Sequence, residues 1–222
     1  MKIAVVDYGM GNLRSVSKAI EHVAPQAQVF ITSDPQTILE AEKVVVPGQG
    51  AMPDCMRQLG ESGAREAVLE AARDKPFLGI CVGLQMLFEH GEEGDTAGLG
   101  VLPGEVPRFH VPGLKVPHMG WNEVAQARPH ALWSQIPDGS RFYFVHSYYP
   151  APRDAALTAA TATYGKPFTL VQEMTILSTA AARKALAASP IKLTGKLEYQ
   201  ACDDKVCYAP ARVPVSFDLS VK

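Results

Sequence analysis

Short apolar runs alternate with stretches of helical period from the first residues onward. Lys2 to Val6 reads as a short buried strand that ends in a glycine-rich turn, Asp7-Tyr-Gly-Met-Gly-Asn12. Leu13, Val16 and Ile20 then recur at helical spacing. Val29 to Thr32 predicts a second strand, and Ser33-Asp-Pro35 opens a helix with proline in its first turn. Lys43 to Val46 predicts a third strand, closed by Pro47-Gly-Gln-Gly50. Residues 61–73 predict a helix interrupted only by Gly63. Pro76 to Ile80 predicts a fourth strand that runs straight into Cys81-Val-Gly83, after which Leu84-Gln-Met-Leu-Phe88 reads as helical. Strands and helices alternating at this spacing predict an α/β fold with a mostly parallel sheet covered on both faces.

From about residue 91 to 150 the texture changes. Glycine and proline are frequent, and short β-like runs stand at Glu123–Ala125 and Phe142–Val145. This predicts an antiparallel excursion from the same domain. Ala155–Thr163 predicts another strand, and the alanine-rich Thr179–Ala188 a helix. Residues 191–200 and 212–221 alternate apolar and polar positions, the pattern of half-buried antiparallel strands.

The 222 residues suffice for one large domain, or one domain with an appendage, and can bury a core without disulfides. A formal net charge of -2 argues against a nucleic-acid binder. No apolar run is long enough for a transmembrane helix, and MKIAVVDYG is too short for the apolar core of a signal peptide. The cytoplasm is the expected compartment. Cys202 and Cys207 form a C-x4-C pair with no histidine nearby, so neither zinc nor any other metal or cofactor is expected.

The sharpest chemical signal is Gly79-x-Cys81-x-Gly83 between a strand and a helix. It has the logic of a nucleophile elbow, in which glycines permit a cramped backbone. The helix start is expected to lower the thiol pKa, and the Val82 amide to donate to an oxyanion. The competing reading is a structural cysteine buried between strand and helix. Cys55 lacks such a setting and is expected to be inert. The loop Pro47–Gly50 ends a neighbouring strand on the edge where open α/β sheets bind ligands, so it can offer a second oxyanion amide or be a plain turn. Gly9-Met-Gly11 lacks the third glycine of a dinucleotide loop, because Arg14 stands there. Phe142–Tyr149 gathers aromatics around His146 and Ser147, and Lys115–Asn122 puts Trp121 in a Gly/Pro setting. Trp121 is either core or a partner-facing anchor.

Together, DYGMGNLRSV at 7–16, VVVPGQGAMPDCM at 44–56, GICVGLQMLFE at 79–89, LKVPHMGWNEV at 114–124 and FYFVHSYYP at 142–150 resemble one family. It is the glutamine amidotransferase subunit of imidazole glycerol phosphate synthase, of histidine biosynthesis. The resemblance covers about residues 1–168 and implies a flavodoxin-like class I glutamine amidotransferase domain. It implies that Cys81 attacks the glutamine side-chain amide to give a glutamyl thioester, with Gly48, Gln49, Gly50 and the Val82 amide around the oxyanion. Gln85, Ser147 and Tyr148 would hold the glutamine. Ammonia would pass to a cyclase subunit, with Asn12 and Trp121 near that partner.

The family draws its general base and orienting carboxylate from a late F-H-P-E-type segment. This sequence has no His-Pro-Glu and no histidine after His146, and His146 belongs to a different motif. Residues 169–222 instead form an atypical tail that reads as a chimeric segment. From about residue 190 it resembles the end of the β-rich N-terminal domain of thiol:disulfide interchange proteins, through Tyr199-Gln-Ala-Cys202 and Cys207-Tyr-Ala-Pro210. The expectation is a glutaminase with impaired turnover and a destabilised fold, its sheet having lost a central strand and its covering helix. Two alternatives are a partner-binding subunit without turnover and a thiol-disulfide protein acting through Cys202 and Cys207.

Overall fold

The computed structural model describes residues 1–172, 191–199 and 211–219. Its central element is a four-stranded, all-parallel sheet of β1 (Lys2–Val6), β2 (Gln28–Thr32), β3 (Lys43–Gly48) and β4 (Phe77–Cys81), in the order β2-β1-β3-β4. Alternate residues of β1 and β3 serve opposite faces, as the period of a strand requires. Ala4, Val6, Val44 and Val46 enter the main core with α2 (Pro35–Glu40), α3 (Met52–Glu61) and α4 (Arg65–Asp74). Ile3, Val5 and Val45 face the other way and pack on Leu13, Val16 and Ile20 of α1 (Leu13–Val23). The two central strands are thus covered on both faces, as the sequence predicts, whereas the edge strands β2 and β4 keep exposed apolar residues, Phe30, Ile31, Leu78 and Ile80.

Local chemistry fixes the helix starts. The Asn12 side chain accepts from the Ser15 amide at 3.2 Å and caps α1. Asp34 accepts from the Thr37 amide at 2.8 Å, with Pro35 following it in the first turn.

Two helix predictions need correction. The helix expected over 61–73 begins later, as α4 at Arg65, because Gly63 takes φ +75° and separates it from α3, which ends at Glu61. The sequence reading misses α3 itself, because Pro53 stands just after the glycine-rich loop and reads as its continuation. In fact Pro53 occupies the first turn of α3, where its missing N–H has no intrahelical partner to lose. The helix expected over 84–88 is a single turn, α5 (Val82–Gln85). Met86, Leu87 and Phe88 are all buried, so no helical face is defined there, and Phe88 opens β5 (Phe88–Gly91).

Past α5 the chain builds smaller sheets. β5 pairs with β6 (Thr96–Ala97) and, in parallel, with β7 (Leu102–Val106), which also holds β11 (Ala151–Pro152). β8 (His118–Glu123) and β10 (Arg141–His146) form an antiparallel ribbon. β12 (Thr158–Tyr164) joins β9 (Ala125–Gln126) and β13 (Lys166–Gln172). The strand expected from Ala155 begins three residues later, because Asp154 caps a turn of 3-10 helix over Ala155–Leu157. In the tail, β14 (Ile191–Tyr199) and β15 (Ala211–Leu219) pair antiparallel, as their alternation predicts. The helix expected over Thr179–Ala188 lies outside the described residues, as do Cys202 and Cys207.

Among the described residues β4 is an edge strand, with Leu78 46% and Ile80 36% exposed. The strand that ends in Cys81 therefore has an open side.

Candidate functional site

Cys81 closes β4 and precedes α5 with φ +55° and ψ −119°. Left-handed backbone at a residue with a Cβ costs about 1–3 kcal/mol and persists only where its surroundings enforce it. The surroundings here are glycines in backbone contact. A Cβ on Gly83 would run into the Val46 carbonyl oxygen, and one on Gly48 into the Gly83 amide nitrogen. A Cβ on Gly79 would stand 2.7 Å from Leu84 Cα. Gly48 and Cys81 are also direct partners in the β3–β4 register. The sharp turn and the close approach of two loops therefore share one cause, the absence of side chains at these three positions.

The loops after β1 and β3 pack on each other beside this turn. Gly11 lies against Pro47, and Gly50, at φ +93°, against Met10. The Tyr8 hydroxyl donates to the Pro47 carbonyl at 2.7 Å, and the Cys55 thiol donates to the Gln49 carbonyl at 3.4 Å. Tyr8 is buried and Cys55 has no exposed surface, whereas Gln49, Gly50 and Cys81 reach solvent. Sequence reading passes over Tyr8. Its only signal is a large aromatic between Asp7 and Gly9, in a turn otherwise made of small and polar residues.

The thiol departs from expectation. Desolvation by the protein mass beneath Cys81 pushes its pKa above the ordinary thiol value, and the Val82 amide pulls the other way. Although the side chain reaches solvent, the upward push is the larger effect. A four-residue helix gathers little of the macrodipole that was expected to lower it.

No histidine or carboxylate acts on the Cys81 thiol among the described residues. His90 is bound to Asp95 at 2.8 Å and His110 to Glu92 at 3.2 Å. His22 lies in the last turn of α1, and His130 accepts from the Leu132 amide. His146 has both ring nitrogens engaged, Nδ1 with the Tyr148 carbonyl at 3.0 Å and Nε2 with His118 Nδ1 at 3.1 Å. Phe109, Phe144 and Phe168 surround that pair. Burial, with His118 beside it, pushes the His146 pKa down to about 4.

The remaining candidates spread outward from the elbow. Gln85 is buried on α5, one turn past Cys81. Ser147 and Tyr148 follow β10. The Ser147 carbonyl accepts from the Phe109 amide at 2.9 Å, and Tyr148 packs against the core that holds Val82. No hydrogen bond joins either residue to Cys81 among the described residues. Asn12 is exposed in the loop next to the site while capping α1. Trp121 is 40% exposed and meets Tyr143 edge to face at 5.6 Å. Met119 and Val145 pair beside them, 61% and 58% exposed, so one face of the β8–β10 ribbon is apolar and open. Trp121 thus lies on a surface and not in a core. No helix among the described residues is long and apolar enough to cross a membrane.

The class-I glutamine amidotransferase family model matches residues 4–177. The imidazole glycerol phosphate synthase subunit HisH of Dechloromonas aromatica is 65% identical over 175 residues, 75% of this chain and 81% of that protein. The subunit of the same name from Aromatoleum aromaticum is 62% identical over 175 residues, 75% of this chain and 82% of its own. Among solved structures, a glutamine amidotransferase superposes with a TM-score of 0.53 at 14% identity, over 73% of this chain and 85% of that one. PurLQS from Thermotoga maritima gives 0.52 at 16% identity, over 78% and 86%. At those identities the solved structures speak for the fold alone. The sequence matches carry the narrower assignment, and the family match over residues 4–177 spans the elbow, both glycine-rich loops and the β8–β10 ribbon. On this evidence the chain belongs to the class-I glutamine amidotransferases and, within them, to the family of imidazole glycerol phosphate synthase HisH subunits.

Proposed function

We propose that this chain is the glutamine-hydrolysing subunit of an imidazole glycerol phosphate synthase, working in the cytoplasm with residues 1–168 as its amidotransferase domain. The observation that carries the reading is Cys81, held at positive φ on a glycine-enforced elbow directly beside Gly48. Such an elbow presents sulfur on one side of a substrate amide and backbone N–H groups on the other. Cys81 adds to the side-chain amide carbon, the amide nitrogen leaves as ammonia, and water then releases glutamate from the thioester. The amides of the Gly48–Gly50 loop and of Val82 face the oxyanion. Gln85, Ser147 and Tyr148 hold the glutamine. The ammonia passes to a cyclase subunit docked near Asn12 and Trp121.

Glutamate release from glutamine, measured with a cyclase subunit and its nucleotide ligand present, tests this reading. The expected result is slow release that disappears in Cys81→Ala. Release that persists in Cys81→Ala would remove Cys81 from the role.

The open apolar ribbon face supports the docking part. An exposed tryptophan among apolar neighbours is the usual composition of an interface anchor. Trp121→Ala is expected to weaken association with the cyclase by about 2 kcal/mol, or about 30-fold in Kd, as titration calorimetry would show. Unchanged affinity would place the partner elsewhere. The thiol-disulfide alternative draws nothing from these observations, since the family match ends at residue 177, before Cys202 and Cys207.

A further inference from the structure

The parallel sheet ends on one side at β4, and that edge is unlike the other. We propose that it is a self-pairing surface, on which a second copy of this chain adds its own β4 antiparallel about a two-fold axis at Gly79, so that one sheet runs through both copies.

The backbone is set for such pairing. The Val44 amide donates to the Pro76 carbonyl at 3.0 Å, and the β3–β4 register continues from there to Cys81. Backbone groups along a strand alternate sides. Pro76, Leu78 and Ile80 therefore serve β3, while the N–H and C=O of Phe77 and Gly79 and the N–H of Cys81 point outward. Those outward groups have no hydrogen-bond partner among the described residues, and β14 and β15 pair only with each other. An antiparallel copy centred on Gly79 satisfies them. Each Gly79 exchanges both of its hydrogen bonds with its counterpart, and each Cys81 amide meets the Phe77 carbonyl of the other copy.

The side chains fit the same axis. Leu78 and Ile80 flank Gly79 and share a face, because successive side chains of a strand point to opposite faces. Val45, the register partner of Leu78, packs on α1, so this exposed pair lies on the α1 face. Across the axis Leu78 stands opposite Ile80 of the second copy and Ile80 opposite its Leu78, so each exposed apolar side chain covers another. Gly79 puts no side chain at the axis itself. No charged residue stands between Lys75 and Glu89 to keep a neighbouring strand away. The other edge lacks this match. The exposed Phe30 and Ile31 of β2 are adjacent and point to opposite faces, so one added strand cannot pair both with their like.

The contact is small. Edges of five residues each bury less than the roughly 1,200 Å² of a stable interface, so a weak, reversible dimer with a Kd of about 10–100 μM is expected. Sedimentation equilibrium on the full-length chain from about 1 to 200 μM is expected to show the mass rising from one chain to two. Leu78→Lys places a charge on the edge, and is expected to raise Kd at least about 10-fold with the circular dichroism unchanged.

Cysteine cross-linking reads the register directly, and does not depend on the lysine variant folding. Leu78→Cys and Ile80→Cys are each made in a Cys81→Ala background and oxidised alone and as an equal mixture. In the proposed pairing residue 78 of one copy faces residue 80 of the other at about 4.5 Å between Cα atoms, within disulfide reach. Like positions lie about 7–8 Å apart on the diagonal, beyond it. The mixture is therefore expected to form covalent dimers at least about 10-fold faster than either variant alone, as non-reducing gels would show. Equal rates in all three samples would overturn the proposal. So would a wild-type mass of one chain throughout the range, or a mass that climbs past two chains, the mark of open-ended pairing through both edges.

Discussion

Glutamine hydrolysis by this chain is expected to run at least about 1000-fold slower than by the Dechloromonas aromatica subunit assayed alongside it with the same cyclase. The cause lies in proton transfer. A cysteine amidase needs a base to take the thiol proton, an acid to protonate departing ammonia, and a base again for the water that opens the thioester. The elbow provides none of these. No histidine or carboxylate acts on the Cys81 thiol among the described residues, and desolvation moves that thiol away from ionisation. All six histidines lie at or before residue 146; five have ring partners away from the elbow, and the sixth, His22, sits in the last turn of α1. What remains is the elbow's positioning and its amides, which alone still accelerate such reactions by several orders over water. Two further readings check the cause. The rate should climb with pH as thiolate forms, without a plateau near neutrality, and added imidazole should raise it. Turnover equal to the relative's, abolished in Cys81→Ala, would mean that the chain supplies a base of its own, and the prediction would fall.

The legible part of this protein is the part written in local pattern. The apolar runs at Lys2–Val6, Lys43–Val46 and Pro76–Ile80 mark three of the four parallel strands: β1 and β3 are covered on both faces and need an unbroken run, and β4 carries a similar run although Leu78 and Ile80 stand exposed at the edge. The elbow is legible for a related reason. Gly79 and Gly83 flank Cys81 at fixed spacing, and the close packing forbids a Cβ at either. The helix α3 is not legible, since a proline beside a glycine-rich loop reads equally well as turn or as first helical turn. The direction of the thiol shift is also hidden. It depends on how much protein lies beneath Cys81 and on a helix stopping after four residues. Trp121 is ambiguous in the sequence because its face is decided by register, Met119 with Val145 and Trp121 with Tyr143. The same register brings together two histidines 28 residues apart, a pairing that no local motif announces.

That pair sets an acid limit on the fold. His118 and His146 face each other across β8 and β10, with Phe109, Phe144, Tyr164 and Phe168 about them. Burial lowers the pKa of both, His146 from 6.5 to about 4. The neutral pair closes its own hydrogen bonds, with one His146 nitrogen on the Tyr148 carbonyl and the other on His118. A proton added there is a charge in an aromatic core. Between pH 6.5 and 4 the unfolded chain therefore binds more protons at His146 than the folded one does, and stability falls as pH falls. It is fully present above pH 6.5, and the loss is complete below the folded value. At about 1.4 kcal/mol per unit, His146 contributes a loss of about 3 kcal/mol across that window, and His118 acts in the same direction. Asp34 and Glu92, whose hydrogen bonds hold their carboxyls below the ordinary value, also favour unfolding in acid, so the pair must be isolated by difference. Urea unfolding of the wild type and of His146→Gln from pH 7.5 to 4 does this. The gap between the two stability curves is expected to shrink by about 3 kcal/mol toward pH 4. Parallel curves would show that His146 takes its proton as readily in the fold as out of it, and that the aromatic cluster does not hold it neutral.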